Sequence, residues 1–314
     1  MHIKTIKIAS RQKEGGTEMI ETQYFGIDIG GTSTKFAKVD SRGTIYEKGS
    51  FDTFRSMSRE AFLGEIFRIC DHAVSEGVQG IGVSSLGVID SKSGRFLGAV
   101  QNLPALQGMN LKEELEARYP GLPVVILNDA KAVALGELWV GEGRGCSSLL
   151  CITLGTGIGG ALVMNGKLVH GFHNRAGEIG YSDYISDKDF AERHYSTEAV
   201  MSKISKEMQE PVDGFKFFKK CYNKEPEYLA AFEEWMRGVA RLIANLCLLV
   251  DPQKVLIGGG ISSECELIIP TLTRLTDEML PAEFRGQTVI APAGNSYNAG
   301  ILGAVAGLVL KESS

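Results

Sequence analysis

Phe25-Gly-Ile-Asp-Ile-Gly-Gly-Thr-Ser-Thr-Lys35 runs from a short apolar stretch into a glycine turn and out into alternation, with Phe36 and Val39 following. The pattern returns about 125 residues later. There, Leu149–Leu154 is apolar, Gly155-Thr-Gly-Ile-Gly-Gly160 turns, and Ala161–Met164 leads away. Each unit turns again soon afterwards, at Asp40-Ser41-Arg42-Gly43 and at Asn165-Gly166, both hairpin signals. A repeated strand–turn–strand unit predicts two related α/β lobes.

The remaining elements follow outward from these two units. A third strand is predicted over Thr44–Phe51. Arg59–Glu76 has helical spacing, with Phe62, Ile66, Ile69, Cys70 and Ala73 on one face. Short buried strands are expected at Gly80–Val83, Val124–Leu127, Lys254–Ile257 and Gln287–Ala291. Helices are expected at Leu111–Tyr119 and Ala130–Trp139, through most of 186–250, and over Asn298–Lys311, whose small residues allow close packing.

Composition narrows the function classes. The 314 residues carry 33 Lys+Arg and 38 Asp+Glu, a net charge of −5. That balance gives no electrostatic footprint for nucleic acid or an anionic membrane. No apolar run reaches the roughly 20 residues that span a bilayer. The six cysteines are scattered without a CxxC, which reads as reduced thiols in a cytoplasmic protein. The 38 glycines are the anomaly, since a chain this long would carry about 7%. Residues 1–18 are basic and poorly patterned, and are expected to pack on little. Lys13-Glu14-Gly15-Gly16 can be encoded by a purine-rich ribosome-binding sequence just upstream of Met19. This segment is therefore either an ordinary tail or untranslated, with synthesis starting at Met19.

Three glycine turns follow short apolar strands: Gly30-Gly31-Thr32 after Asp28, Gly155-Thr156-Gly157, and Gly258-Gly259-Gly260. Without Cβ atoms in the way, backbone N–H groups can converge there on an anion such as a nucleotide phosphate. Gly155-x-Gly157-x-x-Gly160 matches the dinucleotide fingerprint in letters, but a strand rather than a helix follows, so an NAD-dependent enzyme is not favoured. A Walker A loop is absent, because Leu168 follows Gly166-Lys167. Asp28 can hold Mg²⁺ through water or simply cap its turn. Asp129, at a strand end before a helix, can be a base for an alcohol proton, although in isolation it reads as an N-cap.

Phe25 to Lys35, Leu127-Asn-Asp-Ala130 with Ala134-Leu-Gly-Glu137, Leu154-Gly-Thr-Gly-Ile-Gly-Gly160 and Arg175-Ala-Gly-Glu-Ile-Gly180 together resemble the ROK (repressor, open reading frame, kinase) family of sugar kinases. The likeness runs from about Tyr24 to the C-terminus. It implies a two-lobed actin-like ATPase (ribonuclease H-like) fold of mixed sheets flanked by helices. It also implies ATP- and Mg²⁺-dependent transfer of phosphate to a hexose, usually at the 6-hydroxyl. By the same resemblance Asp129 is the catalytic base, and Asn102, Asn128, Asp129, Glu178 and Glu192 contact the sugar. Asp28, Gly30, Gly31, Thr32 and Lys35 belong to the first phosphate motif, Gly155, Thr156 and Gly157 to the second, and Gly258, Gly259 and Gly260 to the nucleoside contact. Family members are often homodimers. Their substrates include glucose, fructose, N-acetylmannosamine and β-glucosides.

The chain departs from the family where most members continue into a His and a zinc-binding cysteine cluster. Tyr181 stands at the His position, and no cysteine lies between Ser182 and Ser196, so no zinc site is expected. Glu192 keeps its place through Glu192-Arg-His-Tyr-Ser196-Thr-Glu-Ala199, as a sugar contact or as a solvated helix-start carboxylate. His194 reads as a surface residue. Tyr181 either donates its phenol to a sugar hydroxyl or fills space. Too few residues precede Tyr24 for the DNA-binding domain of the repressor members. The expected organisation is an extension over 1–22, an N-terminal lobe over 23–128 with helix 298–312 packing back on it, and a C-terminal lobe over 129–297. The rival to a kinase is a catalytically silent sugar-binding sensor of the same family.

Overall fold

In a computed structural model, residues 4–6, 22–98, 100–183, 189–295 and 298–311 are described. They divide into two compact units. The first holds the described residues up to Gly141, the segment His170–Arg175 and the last stretch, 298–311. The second holds Glu142–Val169 and the described residues from Ala176 to 295.

The first unit is built on β1 (Lys4–Ile6), β2 (Gln23–Ile29), β3 (Ser33–Asp40), β4 (Ile45–Asp52), β5 (Ile81–Ser85) and β8 (Val124–Asn128), in sheet order β1-β4-β3-β2-β5-β8. A separate ribbon pairs β6 (Val88–Ile89) with β7 (Phe96–Gly98). Strands β2, β3 and β4 form the expected antiparallel meander. The Asp40 turn is held by its carboxylate, which accepts from the N–H groups of Arg42 and Thr44 at 2.9 Å each. Strands β5 and β8 run parallel to β2, so Ile29, Ser85 and Asn128 share one register row at the strand ends. Helix α1 (Arg59–Ser75) starts at Ser58, whose Oγ accepts from Ala61 N, and buries the five residues its periodicity selects. They pack with Phe25, Ile27 and Ile29, the alternate residues of β2. Helices α2 (Leu111–Arg118) and α3 (Asp129–Val140) flank β8. Lys4–Ile6 pairs with β4, Lys4 opposite Ser50, which differs from the expectation that this segment packs on little. The rest of the expected extension up to residue 21, including the proposed start at Met19, lies outside the described residues.

The second unit repeats the plan. Its strands are β9 (Leu149–Leu154), β10 (Ile158–Met164), β11 (Lys167–Leu168), β12 (Lys254–Gly259) and β13 (Val289–Pro292), in order β11-β10-β9-β12-β13. Strands β9, β10 and β11 are antiparallel, and β12 and β13 run parallel to β9. This order matches β4-β3-β2-β5-β8 strand for strand. Helices α4 (Glu192–Tyr195), α5 (Thr197–Glu207), α6 (Gly214–Tyr222), α7 (Pro226–Val250) and α8 (Cys265–Met279) cover the sheet. Trp235, Val239 and Ile243 of α7 pack in one core with Ile152, Val255, Ile257, Phe217 and Leu272.

The chain then returns to the first unit as α9 (Ala299–Val309). Its small residues lie on the sheet face opposite α1. Ile301 and Val305 pack with Ala37 and Val39. A Cβ on Gly26 would come within 2.8 Å of Ile301, and one on Gly82 would strike the Ala304 backbone. On its other side α9 meets α3: Gly303 lies against the Ala132 backbone, and a Cβ on Gly136 would sit 3.1 Å from Gly303 N. This contact holds α3 in the first unit, so the break between units falls after Gly141 rather than at residue 128.

Candidate active site

The first glycine turn joins β2 to β3 and is closed by Gly30 N–H donating to Ser33 O at 3.0 Å. Thr53, just past β4 and 3% exposed, clamps it from both ends. Its Oγ1 donates to Gly30 O at 2.7 Å and its N–H to Thr32 O at 3.0 Å. With its carbonyls held from behind, the turn keeps a fixed shape. Gly31 lies against Asn102, where a Cβ would fall 2.9 Å from Asn102 Cβ, so the structure brings these two predicted residues together. Asp28 is half-buried one strand over from Ser84, whose Oγ donates to Asp28 Oδ1 at 3.1 Å. Burial pushes the Asp28 carboxyl above its ordinary value, opposed by the Ser84 bond and by Lys35, its register partner on β3. Gly300 leaves the space that the Asp28 carboxylate fills. A half-buried carboxylate with raised pKa and one hydroxyl partner fits a group that would meet a hydrated divalent cation.

At the end of β8 the structure separates two neighbours that the sequence alone leaves tangled. Asn128, not Asp129, is the N-cap of α3. Its Oδ1 accepts from Ala130 N at 3.0 Å and Lys131 N at 3.3 Å, and its Nδ2 donates to Gly87 O at 3.0 Å. Its extended backbone, φ −62° and ψ 148°, aims the side chain at those N–H groups. What Asn128 can offer a ligand is therefore its second Nδ2 hydrogen. Asp129, the first helical residue, is exposed, with Oδ1 accepting from Ala130 N at 2.8 Å. It stands at the positive end of the helix dipole.

Sequence reasoning missed Lys131, which is 5% exposed and donates from Nζ to Asn174 O at 3.2 Å. Asn174, at φ 60°, also accepts from Ser91 N and donates to Asp90, both at 3.1 Å. These bonds pin His170–Arg175 to the first unit. A lysine inside an apolar helix stretch was the available signal.

In the second unit, the glycine turn after β9 closes through Gly155 N–H to Gly157 O at 3.0 Å. Gly259, at φ 91°, lies against the backbone of Leu154 and pairs with it in register, so the second and third glycine turns share one sheet end. Glu192 sits against this turn. Its Oε2 accepts from Ile158 N at 2.9 Å, and Gly157 and Gly180 leave the space its carboxylate needs. Thr197 N–H ties the start of α5 to Gly155 O at 2.9 Å. Glu178 follows Gly177, whose φ of 92° lets the chain press against Gly160. One tight turn on, Tyr181 N–H donates to Glu178 O at 3.2 Å. Loss of water, then the charges of Glu192 and Glu178, raise the Tyr181 phenol above its ordinary value, so these three side chains share one neighbourhood. His194 bonds Asp189 at 2.6 Å on the surface.

Among the described residues, the group of His, Cys, Asp and Glu close enough to share an ion is Glu47, His72 and Glu76. It includes none of the predicted site residues, and the Lys38 ammonium already bonds Glu76 at 2.6 Å and Glu47 at 3.2 Å.

Known proteins share this chain's sequence and fold over most of its length. A family model described as the ROK family matches residues 24–312. A β-glucoside kinase from Listeria innocua is 33% identical over 299 residues, covering 91% of this chain and 97% of its own. A ROK family glucokinase from Streptomyces griseus, solved with glucose and AMPPNP, superposes with a TM-score of 0.77 at 28% identity, covering 92% of this chain and 99% of its own. A ROK family protein from Streptococcus pneumoniae, solved with sucrose, gives 0.82 at 27% identity, covering 93% and 99%. From these matches, over nearly the whole described length, the chain belongs to the ROK family.

Proposed function

We propose that this chain is an ATP-dependent sugar kinase that transfers the γ-phosphoryl group to the 6-hydroxyl of a hexose or hexose derivative. The observation that carries the reading is the repeated plan: a glycine turn at the same strand end in each unit, with Asp129 exposed at the head of α3 in the first. Relatives named as β-glucoside kinase and glucokinase support it.

Asp129 accepts the proton of the attacking hydroxyl, and its place on a rigid helix start sets the direction of attack. Asn102, Glu178 and Glu192 hold other sugar hydroxyls, and Asn128 contributes its remaining amide hydrogen. Carboxylates and amides suit vicinal diols because each can make two hydrogen bonds. Gly30 and Gly155 close their turns through their own N–H groups, so Gly31, Thr32, Thr156 and Gly157 present backbone donors to the phosphates with Lys35 nearby, while Gly258, Gly259 and Gly260 border the nucleoside. Mg²⁺, held through water by Asp28, would supply positive charge to the β- and γ-phosphates. The chain's own contribution is positioning and exclusion of water.

We further propose a cytoplasmic homodimer that binds no nucleic acid and needs no zinc. Among the described residues no helix is long and apolar enough to cross a membrane. One tightly held zinc ion per chain in elemental analysis would overturn the zinc statement.

A coupled ADP-release assay over hexoses, N-acetylated hexosamines and β-glucosides tests the kinase reading. Sugar-dependent ADP release is expected, whereas sugar binding without it would make the chain a silent sensor. Thr53→Val probes the first turn separately. It keeps the volume but deletes the bond to Gly30 O, and is expected to raise KM for ATP about fivefold, from the loss of about 1 kcal/mol. An unchanged KM for ATP would remove Thr53 from this role.

A further inference from the structure

Asp28 leads from β2 into the first glycine turn, and two other elements decide how its carboxylate lies. Ser84 is its register partner on β5 and is fully buried. Its Oγ donates to Asp28 Oδ1 at 3.1 Å. The other contact is Gly300, in the first turn of α9. A Cβ built on Gly300 would meet Asp28 Cγ and both oxygens, Oδ2 at 2.8 Å, so the carboxylate lies flat against the helix.

The two contacts do different jobs. The outer torsion of an aspartate is soft, so a carboxylate without a fixed partner samples a wide arc. The helix at Gly300 covers one face of the group, and the Ser84 bond fixes the rotation that remains. Oδ1 is thereby engaged inside the protein. Oδ2 accepts no hydrogen bond among the described residues. The partner at Oδ1 is also a neutral hydroxyl. A cation bonded there would oppose the carboxylate's charge, whereas a hydroxyl holds the group and leaves that charge for a ligand. A half-buried carboxylate with one oxygen fixed and one open suits a hydrated divalent cation, whose waters need acceptors at set positions.

We propose that Ser84 and Gly300 are positioning residues for Asp28, engaging Oδ1 within the fold so that Oδ2 meets the hydrated Mg²⁺ of a bound nucleotide. The inference rests on the kinase reading above and adds two residues to its metal seat, one on β5 and one on α9. Both act through Asp28.

The test measures ADP binding by calorimetry with and without Mg²⁺, so no turnover is required. In wild type, Mg²⁺ is expected to tighten ADP binding. Ser84→Ala removes the hydroxyl and is expected to weaken Mg²⁺-ADP binding about tenfold, with metal-free ADP changed less than about twofold. Gly300→Ala is expected to act in the same way, because its methyl group takes the place of the carboxylate. Asp28→Asn sets the full loss. Ser85→Ala is the matched control: Ser85 is equally buried, but its Oγ bonds Leu86 O at 3.3 Å, and its Mg²⁺ dependence should stay as in wild type. Equal losses with and without Mg²⁺ would mark general damage and overturn the proposal, as would a Ser84→Ala variant that keeps the full benefit of Mg²⁺. Ser84→Ala only shortens a side chain, so it decides the matter should Gly300→Ala not fold. A wild type that binds no ADP at all would sink the kinase reading itself. ADP binding that is indifferent to Mg²⁺, or that Mg²⁺ strengthens regardless of Ser84 and Gly300, sinks only the positioning proposal.

Discussion

Asp129→Asn is expected to lower kcat by about 10²–10⁴-fold, the usual contribution of a positioned general base. Sugar affinity should change by less than about threefold, because the amide keeps the size and most of the hydrogen bonding of the carboxylate. The fold should be indifferent. Asn128 carries the cap of α3 through Ala130 N and Lys131 N, so the helix start does not depend on the charge next to it. Asp129 is also exposed, so the replacement amide stays in water. Single-turnover phosphoryl transfer, alongside sugar binding by calorimetry, reads the two effects apart. Turnover above about a tenth of wild type would take Asp129 out of the base role.

The second large effect concerns stability. Gly303→Ala adds one methyl group where α9 crosses α3, and the atoms it meets are the backbone of Ala132. Backbone cannot rotate away as a side-chain tip can, so the helices must separate. Such overpacking costs about 3 kcal/mol. For a chain of 314 residues that lowers Tm by about 4–5 °C. Gly64→Ala is the matched control. Gly64 lies inside α1 with nothing within 4 Å of a built Cβ, so the same methyl group should raise stability by up to about 1 kcal/mol. Equal Tm shifts for the two variants would mean that the α3–α9 contact is not tight in solution.

Much of this arrangement was written locally. The turns at Gly30 and Gly155, the alternation of β2 and the buried face of α1 each depend on residues within a few positions of one another, so period and turn chemistry reveal them. The neighbours Asn128 and Asp129 were not separable in that way. Either can cap a helix, and the choice depends on which residue takes the extended backbone as β8 ends. Thr53 gave no signal, because its two bonds to the first glycine turn exist only once β4 lies beside β3. Lys131 and Asn174 are 43 positions apart, and their contact appears only with the fold. The unit boundary was misplaced for a similar reason: α3 follows a strand of one unit and precedes a strand of the other, and only its packing against a helix 160 or so residues later decides its allegiance.

That late helix bears on how the chain is made. The second unit is an insertion within the first, and α9 supplies the face that covers Gly26, Ala37, Val39 and Gly82. Domains generally close in the order in which the ribosome delivers them. Here the order is inverted: β2, β3, β5 and β8 emerge early, but their second face stays bare until Ala299–Val309 has been synthesised. The inserted unit, whose parts are all made before that point, can finish first. The nascent chain must therefore carry an uncovered sheet through most of its synthesis, and that interval is when a chaperone would have something to hold.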